Sequence, residues 1–232
     1  MTVTGRMFRR SPRALKKGTM MEKRAFIYTG GIVYDEYVIE KPRKGDLVIA
    51  ADAGVLTTQR MGVKPDVMVG DFDTLGEPDV PDGVELQRLP AEKAVTDTQY
   101  AVSLALSRGA EEVVIVGGLE GRLDHTLSLL AIAEKLWERK EKRIPCVITS
   151  GKNRARFIRN SGVILAREHY RYFSLIAADE RVKGITLEGC KYPLQKGEIR
   201  RTHQWAVSNE IEGNCALIEV RRGGVWVIES MD

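Results

Sequence analysis

The chain has 232 residues, 43% hydrophobic and 29% charged, which is ordinary for a water-soluble globular protein with enough apolar material for a core. No run approaches the roughly 18 apolar residues of a membrane span, so no membrane association is expected. The net charge of +4 comes from one end: residues 1–24 hold eight of the 36 basic residues and one acid, Glu22, leaving a body of 28 basic and 31 acidic residues. That body carries −3 and gives no reason to expect nucleic-acid binding.

Residues 1–24 lack hydrophobic periodicity and any continuous apolar stretch, so they read as a flexible basic leader and not as a secretory signal. Removing residues 1–20 is expected to leave activity intact. Ala25 to Thr29 then reads as a short strand running into Gly30-Gly31. Leu47 to Ala51 is a second strand, followed by a helical stretch to about Met61 and by Gly62 as its stop. Asp66 to Val69 is a third strand, ending in glycine. Thr96 opens a helix that carries Ala101, Leu104 and Ala105 on one face and stops at Gly109. Glu112 to Val116 is a strand, Leu123 to about Lys140 a long helix, and Pro145 to Thr149 closes the series.

Apolar strands alternating with helices predict a mostly parallel sheet covered on both faces, because parallel strands need helical crossovers. After Gly151 the pattern changes. Tyr172–Ile176, Val182–Leu187, Ala216–Val220 and Val225–Ile228 are short runs separated by Gly, Pro, Asn and Asp, as in antiparallel β structure. The expected organisation is a leader (1–24), an α/β domain (25–150) and a smaller all-β domain (151–232). Cys146, Cys190 and Cys215 are too few and too scattered for a disulfide scaffold, so all three read as small buried apolar residues of a cytoplasmic protein.

The densest chemistry is Gly70-Asp71-Phe72-Asp73-Thr74, directly after the third strand, where open α/β sheets place ligands. In an extended loop Asp71 and Asp73 share a side, and two such carboxylates repel unless a cation such as Mg²⁺ lies between them. Asp52 follows the second strand and Thr96-Asp97 opens a helix, positions that converge on one rim; taken singly, Asp97 is equally a helix cap. Gly117-Gly118-Leu119-Glu120-Gly121-Arg122-Leu123-Asp124-His125 leads from strand to helix, offering backbone amides and a guanidinium to phosphate. Lys93 is a further phosphate candidate, and His125 alone is more simply a structural histidine. Neither GxxxxGK[ST] nor a GxGxxG after the first strand occurs, so metal-assisted transfer on a polyphosphate is expected without those motifs.

Together ADAG (51–54), KPDVMVGDFDT (64–74), EKAVTD (92–97), GGLEGRLDH (117–125), KYPL (191–194) and VSNE (207–210) resemble the thiamine pyrophosphokinase family, in order over about residues 25–230. The resemblance implies an α/β N-terminal domain with a mostly parallel, Rossmann-like sheet and a C-terminal all-β sandwich. It implies a homodimer with shared active sites, and the reaction of ATP with thiamine to give thiamine diphosphate and AMP with Mg²⁺. By position it implies that Asp71, Asp73 and Asp97 hold Mg²⁺ and the triphosphate, with Asp52 in the same site. Lys93, Thr96, Arg122 and His125 fall at nucleotide-binding positions, and Asp124 near the reacting centre. Ser208 and Asn209 fall in the thiamine-binding segment, and Trp226 at an aromatic position that packs on thiamine, in its own or the partner subunit's site; the competing reading of Trp226 is ordinary sheet core.

Three positions depart from the family pattern. Ala94 stands where an aspartate is common, Leu56 where asparagine is common, and Ala206 where glycine is usual. Ala94 removes one acidic group, and activity is expected to persist because Asp71, Asp73 and Asp97 remain. The alternatives are a pyrophosphokinase for another hydroxymethyl heterocycle, such as a reduced pterin, and a catalytically silent nucleotide- or thiamine-binding regulator.

Overall fold

The computed structural model describes residues 23–34, 36–73, 76–92 and 94–232. Apart from Lys23 and Arg24, the basic leader lies outside the described residues, as does Lys93. Six strands form the first part of the fold: β1 (Arg24–Tyr28), β2 (Leu47–Ala51), β3 (Val67–Gly70), β4 (Glu85–Arg88), β5 (Glu112–Val116) and β6 (Cys146–Thr149). They lie in the order β4-β3-β2-β1-β5-β6, and every neighbouring pair is parallel.

Three α-helices accompany them among the described residues: α1 (Gly54–Arg60), α2 (Asp97–Ser107) and α3 (Leu123–Trp137). Alternation along the strands decides which layer each side chain meets. Ala25, Ile27, Ile49, Val67, Val113 and Ile115 pack with Ala101, Val102 and Ala105 of α2 and Leu129, Ile132 and Ala133 of α3. Phe26, Tyr28, Val48, Val114 and Val116 point the other way, onto Val33, Ile39 and Met61. Both faces are covered, which is why these strands are nearly continuous apolar runs. Gly54 lets α1 sit hard against β1, because a Cβ there would lie 2.0 Å from the Tyr28 carbonyl oxygen.

The remaining strands are β7 (Asn153–Arg159), β8 (Gly162–Ala166), β9 (Tyr172–Ala177), β10 (Arg181–Glu188), β11 (Leu194–Arg200), β12 (Cys215–Arg222) and β13 (Gly224–Ser230). The first sheet does not stop at residue 150. β7, β13 and β9 extend it antiparallel beyond β6, giving one mixed sheet of nine strands. β11-β10-β12-β8 form a separate antiparallel sheet of four. Phe173, Leu175 and Val225 of the large sheet meet Val182, Ile185, Leu187, Ile199 and Ile218 of the small one in a single apolar cluster.

The strand–helix alternation to residue 149 matches the sequence expectation within one or two residues at most ends; α3 stops at Trp137 instead of about Lys140. Four strands lie outside the expected elements: β4, β7, β8 and β11. β7 shows why. Its Arg154 and Arg156 break the apolar pattern, yet both reach Glu229 of β13, which is 2% exposed and accepts bonds of 2.7–2.8 Å from them. Such a buried cluster exists only once β7 and β13 are paired. Cysteine burial corrects one expectation: Cys146 and Cys190 are buried, but Cys215 is exposed at the first residue of β12.

The chain runs outward from β1 through β2, β3 and β4, then returns as β5 on the other side of β1. That reversal opens a crevice at the carboxyl ends of β1 and β5, the place where open parallel sheets bind ligands.

Candidate active site

A cavity of about 470 Å³ occupies this crevice. Its walls are Thr29-Gly30-Gly31 after β1, Ala51-Asp52 at the end of β2, Thr96-Asp97-Thr98 at the start of α2, and the β5–α3 loop with the first turns of α3. The loop packs closely against the end of β1 and against α3. Gly117 and Gly118 have φ of 99° and 80°; a Cβ on Gly117 would lie 2.8 Å from Thr29 Oγ1, and one on Gly118 2.2 Å from Leu129 Cδ1 of α3.

The acids converge. One carboxylate oxygen each from Asp52, Asp71 and Asp73 lie within 4.8 Å of one another. Asp52 takes a left-handed backbone (φ 46°), its N–H donating to the Val69 carbonyl at 2.7 Å. Phe72 is left-handed too (φ 56°) and is buried between the two exposed or half-buried aspartates. Sinking the aromatic ring into the fold turns Asp71 and Asp73 outward together. Asp97 is not part of this trio; it lines the same cavity from the start of α2, together with Asp52.

Asp97 is nevertheless part of the same electrostatic unit. Burial pushes the Asp52 carboxyl above its usual range, and the charges of Asp97, Asp71 and Asp73 push it further, against a lowering by the Ala53 N–H. Asp52 Oδ1 is buried and has no hydrogen-bond partner among the described residues. Three oxygen donors and an unsatisfied carboxylate oxygen are a donor set suited to a hard divalent cation such as Mg²⁺.

Thr96 caps α2 through a reciprocal box: its hydroxyl accepts from Gln99 N at 3.2 Å, and Gln99 Oε1 accepts from Thr96 N at 3.0 Å. The cap fixes Asp97 as the first helical residue. Across the cavity, Arg122 is forked onto Asp124 at 3.2 and 2.7 Å, which holds the Asp124 carboxyl below its usual range. Asp124 Oδ1 also accepts from His125 N at 3.0 Å. Arg122 therefore uses two of its five donors within the loop. Ala94 is exposed and is not in the cavity wall.

The model of the thiamin pyrophosphokinase catalytic domain matches residues 41–148, and that of the thiamin pyrophosphokinase vitamin B1 binding domain matches residues 163–225. The chain belongs to the thiamin pyrophosphokinase family. The thiamine pyrophosphokinase of Bacillus subtilis is 27% identical over 191 residues, covering 80% of this chain and 88% of that relative. A crystal structure of thiamine pyrophosphokinase from Bacillus subtilis has a TM-score of 0.80 at 24% identity, covering 90% of this chain and 100% of that one. Thiamin pyrophosphokinase from Candida albicans keeps a TM-score of 0.70 at 12% identity, covering 90% of each chain, so the fold persists where the sequence has diverged.

The family's vitamin B1 binding span includes Ser208 and Asn209 but ends one residue before Trp226. Ser208 is exposed and left-handed (φ 56°), with its N–H on Ser174 Oγ at 3.0 Å. Asn209 is buried, its amide clasping the backbone N–H and carbonyl of Tyr192 at 3.0 and 2.9 Å. Asn209 thus shapes the segment and offers no free amide. Trp226 is 6% exposed, packs with α3 and Phe157, and donates its indole N–H to Glu134 at 2.9 Å. Within this chain Trp226 is part of the apolar core. The exposed rings near Ser208 are Tyr192 and Trp205. Tyr192 lies within the KYPL motif and Trp205 outside every motif, and neither carries a signal of exposure in the sequence.

Proposed function

We propose that this chain transfers the pyrophosphoryl group of ATP to the hydroxyl of thiamine, giving thiamine diphosphate and AMP. The observation that carries the proposal is the convergence of Asp52, Asp71, Asp73 and Asp97 at a sheet switch point, in a chain whose two halves match the two domains of the family. A pterin-directed relative is disfavoured because the second half matches a vitamin B1 binding domain.

In this reading the first six strands are a Rossmann-like unit, and β7, β9 and β13 with the four-stranded sheet are a β-sandwich. Asp52, Asp71 and Asp73 would hold Mg²⁺, with Asp97 setting the charge around it. The ion would supply positive charge beside the triphosphate. The chain's own groups do the positioning. Amides at the start of α3, Thr96 and the remaining donors of Arg122 face the phosphates, with Lys93 as a further phosphate contact and Asp124 orienting Arg122. In-line placement of the hydroxyl against the β-phosphorus needs no covalent intermediate. Ser208, Tyr192 and Trp205 receive the acceptor, whose cationic aromatic rings suit stacking on exposed rings.

No cavity-lining residue comes from beyond Ile132. A site finished by the Ser208 segment of a second copy fits that fact, so the proposed active unit is a homodimer, in the cytoplasm. Among the described residues no helix is long and apolar enough to cross a membrane. Mixing the protein with Mg²⁺, ATP and thiamine should yield AMP and thiamine diphosphate in equal amounts. ADP as the nucleotide product, or AMP formation independent of thiamine, would refute the reading.

A further inference from the structure

Four carboxylates line the cavity: Asp52, Asp97, Glu120 and Asp124. Asp52 and Asp97 belong to the acidic group with Asp71 and Asp73, and Asp124 is neutralised by the fork of Arg122. Glu120 differs from all of them. Its Oε1 accepts from Asn153 Nδ2 at 2.9 Å, and among the described residues no ion pair involves it. A neutral amide orients the carboxylate and leaves its negative charge uncancelled.

The anchoring matters because Glu120 sits in a loop whose Gly117, Gly118 and Gly121 are all left-handed, so backbone preference does little to hold it. Asn153 is the first residue of β7 and pairs with Ser230 of β13. The bond therefore ties a glycine-rich loop to the nine-stranded sheet and fixes a charge on the cavity wall.

The two substrates of the proposed reaction differ in sign. ATP brings a polyanionic tail, which an uncompensated carboxylate repels; the acceptor brings a ring cation and an amine, which it attracts. Resting on the function proposed above, we propose that Glu120, oriented by Asn153, is a specificity-determining residue for the cationic acceptor. It keeps its part of the cavity wall from taking a second anion and discriminates against uncharged analogues.

The test compares wild type, Glu120→Gln and Asn153→Ala in steady-state AMP release, with thiamine and with an isostere whose ring is uncharged. Glu120→Gln keeps the shape and removes the charge, so KM for thiamine should rise about tenfold, the scale of one lost charge-assisted contact, with KM for ATP unchanged within about twofold. Wild type should favour thiamine over the uncharged isostere, and Glu120→Gln should lose that preference. Asn153→Ala should shift KM for thiamine in the same direction by less, at an unchanged melting temperature. Equal charge preference in wild type and Glu120→Gln, or a rise in KM for ATP as large as that for thiamine, would overturn the inference while leaving the function standing. Wild type that releases no AMP with thiamine would overturn the function and the inference together.

Discussion

Asp52→Asn should make the metal-free protein more stable while weakening its response to Mg²⁺. The carboxylate oxygens of Asp52, Asp71 and Asp73 lie within 4.8 Å of one another. At that spacing a pair of unit charges in a water-like dielectric repels by about 1 kcal/mol. Asp52 faces two such partners, and screening around exposed Asp73 reduces the sum, so removing the Asp52 charge should stabilise the chelated protein by about 1–2 kcal/mol. For a chain of this size that raises Tm by about 2–8 °C. Asparagine tolerates the left-handed backbone of position 52 and retains an oxygen acceptor, so the substitution isolates the charge.

The pH dependence has a fixed sign. The folded-state pKa of Asp52 is raised, so its contribution to stability is full below the ordinary carboxyl value of 3.8 and is lost as pH rises through the raised value. The Tm curves of wild type and Asp52→Asn in chelator should therefore converge in acid and separate toward neutral pH, with the variant higher. Thermal unfolding in EDTA and in Mg²⁺ reads both effects. A lower Tm for Asp52→Asn in EDTA, or a Mg²⁺-induced shift equal to that of wild type, would refute the assignment of this trio as the cation site.

Asp71→Ala should lower kcat by about 100-fold or more, the scale of several kcal/mol of lost charge stabilisation, and near-normal turnover would displace the metal site. Trp226→Phe should cost about 1–2 kcal/mol by leaving Glu134 without its indole donor, at unchanged KM for thiamine; urea unfolding and steady-state kinetics separate this from a stacking role, which would raise KM. Glu229→Ala should cost about 3–5 kcal/mol, because it leaves Arg154 and Arg156 without their shared buried partner; denaturant unfolding with no loss of stability would mean the arginines find water instead.

Much of the site was legible because its signals are local. Asp71 and Asp73 stand two apart after a strand, Thr96 precedes an amphipathic helix, and glycines bracket the β5–α3 loop. Such features depend on neighbours within a few residues, and backbone geometry translates them directly. Which acids come within reach of one cation did not follow. Asp52 joins Asp71 and Asp73 because β2 and β3 are adjacent and because left-handed turns at Asp52 and Phe72 aim the carboxylates together. The status of Trp226 was equally invisible, since the alternation of β13 does not say which face meets α3.

The sequence alone determined the parallel strand–helix order to residue 149, the change to antiparallel β structure beyond it, and the family. These rest on hydrophobic period and residue spacing, which each segment carries within itself. Only the tertiary structure decided that a single sheet runs through residue 150, that Arg154 and Arg156 close on Glu229, and that Asn153 anchors Glu120 on the cavity wall. The last two are contacts between residues 33 to 75 apart, and the first, though β6 and β7 pair locally, is completed by β13 from the far end of the chain; no segment encodes the partner it will meet until the chain has packed.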